Sequence, residues 1–395
     1  MKLINMNEKA FNKRALYSKM EEELGLHGVS DKLGKEPLEK IKPILIQAVR
    51  VRSTNTTPKK IREYYESQYD FYGISSISQK EHLEFGLLFY SVLPSYFTSV
   101  EVSPISPLGL NSVLTKISQD ISLATIRGSE VISDPTTPLV LECAKRRLHQ
   151  NLSRDSNGKG VIELATTKRV LRLQPFDKGK GYMQHFNLFG LCSGGNLKEN
   201  TPIVVRFIEK HVSVWLDFIE KLRNNGYVFD NVTIKFSDIG FLEYIIKTFG
   251  LSRETIGRNA FNDNFDFIKE YNIPLPKEVN SVAEMIKADP ENQYIAYGKS
   301  YLLAIEKLIL GNLKNKYPNV KFSFDFTRKA GVGYYDGVCF HIFGSNYKGE
   351  YVQISDGGSV DWLAKLTSNN KESCVTSGFG AELIQKLFHP RSTES

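Results

Sequence analysis

Cysteine is scarce in this chain. Its four residues, Cys143, Cys192, Cys339 and Cys374, are spread over 395 positions without a Cys-x-x-Cys pair. That spacing excludes a disulfide scaffold and a structural zinc site. In apolar surroundings such as Val338-Cys339-Phe340 the thiol reads as a small buried hydrophobe. There is no apolar run of about 18 residues, so no membrane span is expected. The start, Met1 to Arg14, lacks the apolar stretch of a signal peptide, and the expectation is a soluble cytoplasmic protein. A P-loop, a Gly-x-Ser-x-Gly elbow, a His-Glu-x-x-His motif and a Gly-x-Gly-x-x-Gly fingerprint are all missing. The seven histidines are scattered without metal-ligand spacing, so no metal site is expected. Charge of one sign is lacking too. The net +7 left by 51 Lys plus Arg against 44 Asp plus Glu permits a nucleic-acid partner without requiring one.

What the chain has in quantity is core-forming surface. Apolar residues make up 41%, and 24 Phe with 19 Tyr exclude a disordered chain. Residues 1–78 read as a basic helical N-terminal region, with 15 bases against 10 acids up to Lys80. Helical stretches are expected over Glu8–Leu24 and Leu38–Val51, and the Ser53–Thr57 loop caps a helix starting near Pro58. Lys59, Lys60 and Arg62 cluster without an aromatic ladder for stacking bases, which favours a packed arm over a nucleic-acid-binding one. Residues 79–395 read as one core, with an insertion at 252–288 rich in Asn, Asp and Pro. Helical periodicity marks 79–93 (Leu83, Leu87, Leu88 and Val92 on one stripe), 138–152, 203–223 and 291–312. Strands are expected at Phe97–Val102, Val161–Leu173, Val232–Phe236, Val320–Phe326, Val338–Phe343, Tyr351–Ile354 and Val375–Phe379, with Ser345–Gly349 closing a hairpin. Antiparallel strands mixed with helices give an α+β class, not a doubly wound one.

One segment has the shape of an anion site. The extended run ending in Leu171-Arg172-Leu173-Gln174 is followed by a polar, Gly-rich loop carrying Lys178 and Lys180. A second run, Gln184 to Gly190, follows. Strand, flexible basic loop and strand can hold a triphosphate, with Arg172 reaching phosphate from a rigid element and Lys178 or Lys180 closing over it. Spacing alone is equally compatible with a solvated hairpin tip.

The order of motifs resembles the catalytic core of class II aminoacyl-tRNA synthetases over about residues 80–390. It is nearest in pattern to histidyl-tRNA synthetase and its paralogue, the regulatory subunit of ATP phosphoribosyltransferase. The resemblance is carried by a helix, strand and Pro104; by Ser133-Asp134-Pro135-Thr136-Thr137-Pro138; by Arg172 with its loop and Phe186-Asn187-Leu188-Phe189-Gly190; by Phe324-Asp325 through Gly331-Val332-Gly333-Tyr334-Tyr335; by Gly357-Gly358; and by Ser377-Gly378-Phe379-Gly380. It implies an antiparallel sheet flanked by helices, and ATP bound with Mg²⁺. It further implies Arg172 on the α-phosphate, Phe186 stacked on adenine, Asp134 and Thr136 at the amino group of a bound amino acid, and Tyr334, Tyr335, Gly357 and Gly358 lining the amino-acid pocket. It also implies a homodimer built on residues 81–104.

The chain departs from the pattern as well. Motif 2 reads Arg172-Leu173-Gln174 where Arg-x-Glu is usual. The arginine before the tyrosine pair falls on Ala330, and the motif 3 Glu-Arg pair falls on Ile384-Gln385. Gln353 lies nearest the family's metal-binding glutamate and is a poor Mg²⁺ ligand. Fifteen residues follow Gly380, so no anticodon-binding domain, and no ordinary tRNA charging, is expected. The resemblance therefore implies an ATP-dependent, adenylate-forming ligase that passes an amino acid or related carboxylate to a non-tRNA acceptor, a small molecule or a carrier, with a partner enzyme or carrier as a further partner. The alternatives are a catalytically silent amino-acid-sensing regulatory subunit and an atypical aminoacyl-tRNA synthetase.

Overall fold

The structure is a computed structural model that describes residues 6–152, 160–174, 182–196, 202–259, 262, 264–288 and 301–390. The chain divides into two compact units. One runs to Tyr69 and includes Ala124–Ser129; the other holds Asp70–Leu123 and the chain from Glu130 on.

The first unit is helical: α1 (Met6–Glu23), α2 (Val29–Lys35), α3 (Leu38–Thr54) and α4 (Pro58–Ser67). Pro58 takes the first helical position of α4, where its missing N–H costs nothing, and the Thr57 side chain accepts from Lys60 N at 3.3 Å. None of α2, α3 and α4 has a fully buried residue.

In the second unit, nine strands of the described residues form one mixed sheet. They are β1 (Thr98–Ser99), β2 (Val161–Leu171), β3 (His185–Gly195), β4 (Asp230–Asp238), β5 (Glu278–Val279), β6 (Lys321–Asp325), β7 (Val338–Ser345), β8 (Tyr351–Ser359) and β9 (Ser373–Phe379). Their order across the sheet is β1-β2-β3-β9-β8-β7-β4-β6-β5. Only β1–β2 and β4–β6 are parallel; the other pairs are antiparallel. The α+β class read from the sequence is the observed one. Residues 252–288, read as an insertion, contribute β5 to the edge of this sheet.

Helices cover both faces: α5 (Gln79–Val92), α6 (Thr136–Leu152), α7 (Ile203–Arg223), α8 (Ile239–Thr248), α9 (Trp362–Thr367) and α10 (Ala381–Leu387). The back face carries an aromatic stack in which Phe89 of α5 lies 4.5 Å from Phe189 and 5.5 Å from Trp215 of α7, and Trp215 lies 5.2 Å from Phe379. This stack decides how α5 sits. Sequence periodicity points to a stripe of Leu83, Leu87, Leu88 and Val92; Leu88 and Val92 do pack on the core, but the buried residues are Phe85, Gly86 and Phe89, and Leu83 and Leu87 are 60% and 68% exposed. Two phenylalanines bury more apolar area than two leucines, and the helix turns accordingly.

On the front face α6 packs over β3, with Pro135 and Leu139 against Gly190, where a Cβ would come within 3.1 Å of Pro135. The helix starts at Thr136, two residues before the 138–152 span read from the sequence. Pro138 lies in its first turn, where no intrahelical N–H bond is lost, and the Asp134 carboxylate takes the Thr136 N–H.

Candidate functional site

The register of the sheet gathers the site. Across β3, β9, β8 and β7 the residues Gly190, Gly378, Asp356 and His341 face one another in a row. Partners in a ladder point to the same face, and alternation along β3 brings Phe186 to that face as well. A Cβ on Gly378 would meet only the Phe189 carbonyl oxygen, at 3.8 Å, so the floor is open there. The stretch of this face between the β2–β3 hairpin and Asp356 is the candidate trough.

The hairpin side is built around Arg172, immediately after β2. Its N–H donates to Gln184 O at 2.8 Å, which fixes the backbone. Its Nε donates to Ser133 O at 2.8 Å, its Nη2 lies 3.5 Å from Asp134 Oδ2, and its guanidinium lies 5.2 Å from the centre of the Phe186 ring. Asp134 is anchored in turn. Its Oδ1 accepts from Thr136 N at 2.9 Å and from Thr136 Oγ1 at 2.7 Å, an N-terminal cap of α6. Thr136 Oγ1 lies 3.4 Å from the Tyr334 hydroxyl. Burial, then the Asp134 charge, pushes the Tyr334 phenol well above its ordinary pKa, so the hydroxyl stays a neutral donor.

Tyr334 packs edge-on against Tyr335 (4.8 Å) and Trp362 (4.9 Å). Tyr334 and Tyr335 also line a cavity of about 270 Å³, bordered by Lys116, Glu243, Arg253, Asp336 and Asp361. The room left by the two pocket glycines is filled by protein. A Cβ on Gly357 would strike Ser377 and Phe340 at 2.5 and 2.6 Å, and one on Gly358 would strike Cys339 and Tyr335 at 2.5 and 2.8 Å. Both are glycines for a packing reason.

At the far side of the trough stands a pairing that sequence reasoning did not foresee, of Arg328 with Asp356 and His341. Arg328 is buried, donates from Nη2 to Asp356 Oδ1 at 2.7 Å and from Nε to Ala330 O at 2.9 Å, and lies 5.2 Å over the Tyr335 ring. His341 Nε2 stands 3.5 Å from the same Asp356 oxygen. Burial alone would raise the Asp356 carboxyl, but the Arg328 guanidinium and His341 beside it hold it well below the usual range. Burial, with Arg328 close by, keeps His341 on the neutral side. The sequence signal was slight: an acid directly before Gly357-Gly358 and an arginine seven residues before Tyr335.

The structure therefore brings Arg172, Phe186, Asp134, Thr136 and Tyr334 together, with Tyr335 behind Tyr334. Lys178 and Lys180 lie outside the described residues. A resident divalent cation does not fit the donors present. Among the described residues no group of three or more His, Cys, Asp or Glu could hold a metal, and Asp356 is already committed to Arg328 and His341. No helix of the described residues is long and apolar enough to cross a membrane.

No family model and no curated protein matches this sequence. Solved structures do match in shape. The histidyl-tRNA synthetase from Nostoc sp. PCC 7120 matches with a TM-score of 0.54 at 15% identity, over 78% of this chain and 72% of that one. An ATP phosphoribosyltransferase regulatory subunit/histidyl-tRNA synthetase from Bacillus halodurans C matches with a TM-score of 0.52 at 14% identity, over 79% of this chain and 81% of that one. The core thus has the class II synthetase-like fold that the motif order suggested.

Proposed function

We propose that this chain binds ATP and an amino acid or related carboxylate in the front-face trough, and joins them as an acyl-adenylate for a non-tRNA acceptor. The observation that carries the reading is the setting of Arg172. Its guanidinium is held at the trough by Ser133 O and Asp134 and lies over Phe186. A planar cation beside an aromatic ring suits a phosphate next to a stacked base. Arg172 would offset charge at the α-phosphate as the carboxylate attacks it in line and pyrophosphate leaves. Asp134, Thr136 and the neutral Tyr334 hydroxyl would take the substrate ammonium group. Mg²⁺ belongs on this reading to the nucleotide rather than to a site built by the protein. The supporting test is amino-acid- or carboxylate-dependent exchange of pyrophosphate into ATP; its absence across all such acids would sink the catalytic reading.

A specific observation favours a second reading. The arginine two residues before Ala330, Arg328, is spent on Asp356. With that cation occupied, the pocket suits a silent amino-acid sensor of the regulatory-subunit type. Thermal stabilisation by an amino acid but not by ATP would select it. In either reading a homodimer is proposed, supported by the exposed Leu83 and Leu87 on α5.

A further inference from the structure

On the back of the strands that present Arg172 and Phe186 lies a second cluster of charges. Its origin is topological. Strand β9 ends at Phe379, which pairs with Phe189, so β3 loses its neighbour before it reaches Asn187. The Asn187 N–H on that vacated side goes instead to Glu382 Oε2, at 3.2 Å, from the first turn of α10. A carboxylate thus takes the place of a strand. Glu382 also accepts from Arg169 Nη2 (2.9 Å), Ser75 Oγ (2.7 Å) and Lys386 Nζ (3.1 Å).

Arg169 carries the cluster to two imidazoles. Its Nη1 lies 2.9 Å from His185 Nδ1, and its Nη2 lies 2.9 Å from His82 Nε2. A guanidinium has no acceptor, so both ring nitrogens must be acceptors. His185 agrees on its other side, where Nε2 donates to Gly73 O at 2.8 Å. Both contacts therefore require neutral histidines. A proton on either ring would set N–H against N–H beside a fixed positive charge. The surrounding groups do not repair this. Around His82 stand Glu382, Glu81, Gln385 and Arg169; around His185 stand Arg169, Glu382 and Lys386; His389 faces Glu81. Glu382 lies 3.8 Å from His82 Nε2, but its oxygens already accept from four donors.

We infer that Glu382, Arg169, His82 and His185 act as positioning residues that hold the Arg172–Phe186 end of the hairpin in its nucleotide-binding geometry, and that protonating the imidazoles releases it. The inference rests on the nucleotide reading above. Burial, first, lowers both histidines below their ordinary value of about 6.5, so they are neutral at pH 7.5 and the loss comes as pH falls beneath that value. Glu382 is also held low by its partners and stays charged over that range.

The test compares the full chain with Glu382→Gln and with the double variant His82→Gln/His185→Gln, whose amides still accept from Arg169 but cannot titrate. ATP affinity and the exchange protection of the Asn187 amide are read at pH 7.5 and 5.5. The parent should lose about tenfold in ATP affinity at the lower pH, and the double variant less than about twofold. Comparing the two cancels the titration of ATP itself. Glu382→Gln should weaken Asn187 protection and ATP binding at both pH values while the fold, read by thermal unfolding at pH 7.5, persists. Equal pH dependence in parent and double variant, or unchanged Asn187 protection in Glu382→Gln, overturns the inference. If the parent binds no ATP at either pH the nucleotide reading fails, and with it the affinity effect, while Asn187 protection still decides whether the cluster holds the hairpin.

Discussion

Arg328 donates to Asp356 at 2.7 Å, and Asp356 faces the side of the sheet that carries Phe186 and Arg172. The two partners differ in burial: the Arg328 side chain is 2% exposed and that of Asp356 is 35% exposed. Removing the acid strands a buried guanidinium, whereas removing both leaves no buried charge. Asp356→Asn should lower unfolding stability by about 2 kcal/mol, below the cost of breaking a fully buried pair because Asp356 is partly solvated. Arg328→Met added to Asp356→Asn should restore most of that loss. Chemical denaturation of the two variants checks both steps, and an Asp356→Asn protein as stable as the parent would refute the pairing.

Arg172→Ala separates binding from folding. The substitution removes the cation over Phe186 but leaves Asp134 capping α6 through Thr136. ATP affinity should fall about 100-fold, equivalent to one or two charge-assisted hydrogen bonds. The thermal midpoint should move by only about 2 °C. Calorimetric titration with ATP beside a melting curve gives both numbers. Unchanged ATP affinity removes Arg172 from the proposed role.

A second buried pair lies away from the trough. Arg147 of α6 donates from Nε and Nη2 to the two oxygens of Glu372 at 2.9 and 2.8 Å, and both side chains are 1% exposed. Nη1 also donates to Gly160 O at 2.5 Å. Glu372→Ala leaves that guanidinium without its counter-charge in the interior and should cost about 3–5 kcal/mol. Urea denaturation should show the loss as a lower midpoint at unchanged slope. A loss under about 1 kcal/mol would mean that solvent reaches the pair.

How far the site could be read in advance depends on what each residue needs. Arg172 belongs to a local pattern, a strand end before a Gly-rich loop, and Asp134 and Thr136 to the Ser133–Pro138 motif that carries the family resemblance. Those patterns survive in a linear sequence. Asp356 and Glu382 do not, because each acquires its partners through register. Asp356 meets His341 only because β7 and β8 pair as they do, and Glu382 meets Asn187 only because β9 stops at Phe379. The motif 3 pair falls on Ile384-Gln385, whereas the acid of that helix that reaches the hairpin is Glu382. The fold was legible for the same local reason: alternating strands and the apolar periodicity of α7 need no partner to be recognised. The rotation of α5 was not, since it is set by Phe189, Trp215 and Phe379, far away in sequence.

His211 on α7 should dominate the acid side of the stability curve. Its ring is wholly buried, with Nε2 at 3.0 Å from Ser193 Oγ and Nδ1 at 2.8 Å from Ser377 Oγ, which also accepts from Trp215 Nε1 at 2.8 Å. Burial, then the charge of Lys210, pushes its pKa down to about 3. The sign follows from proton counts. Above about 6.5 neither folded nor unfolded chain protonates this group; below it the unfolded chain gains a proton that the folded one refuses. Stability should therefore fall as pH drops from about 6.5 toward 3, by a few kcal/mol from this residue alone. His211→Gln should cost about 1 kcal/mol at pH 7.5, through poorer hydrogen bonds, and flatten the decline at lower pH. Urea midpoints measured at pH 7.5, 6, 5 and 4 decide it. Parallel curves for parent and variant would assign the acid sensitivity to other groups.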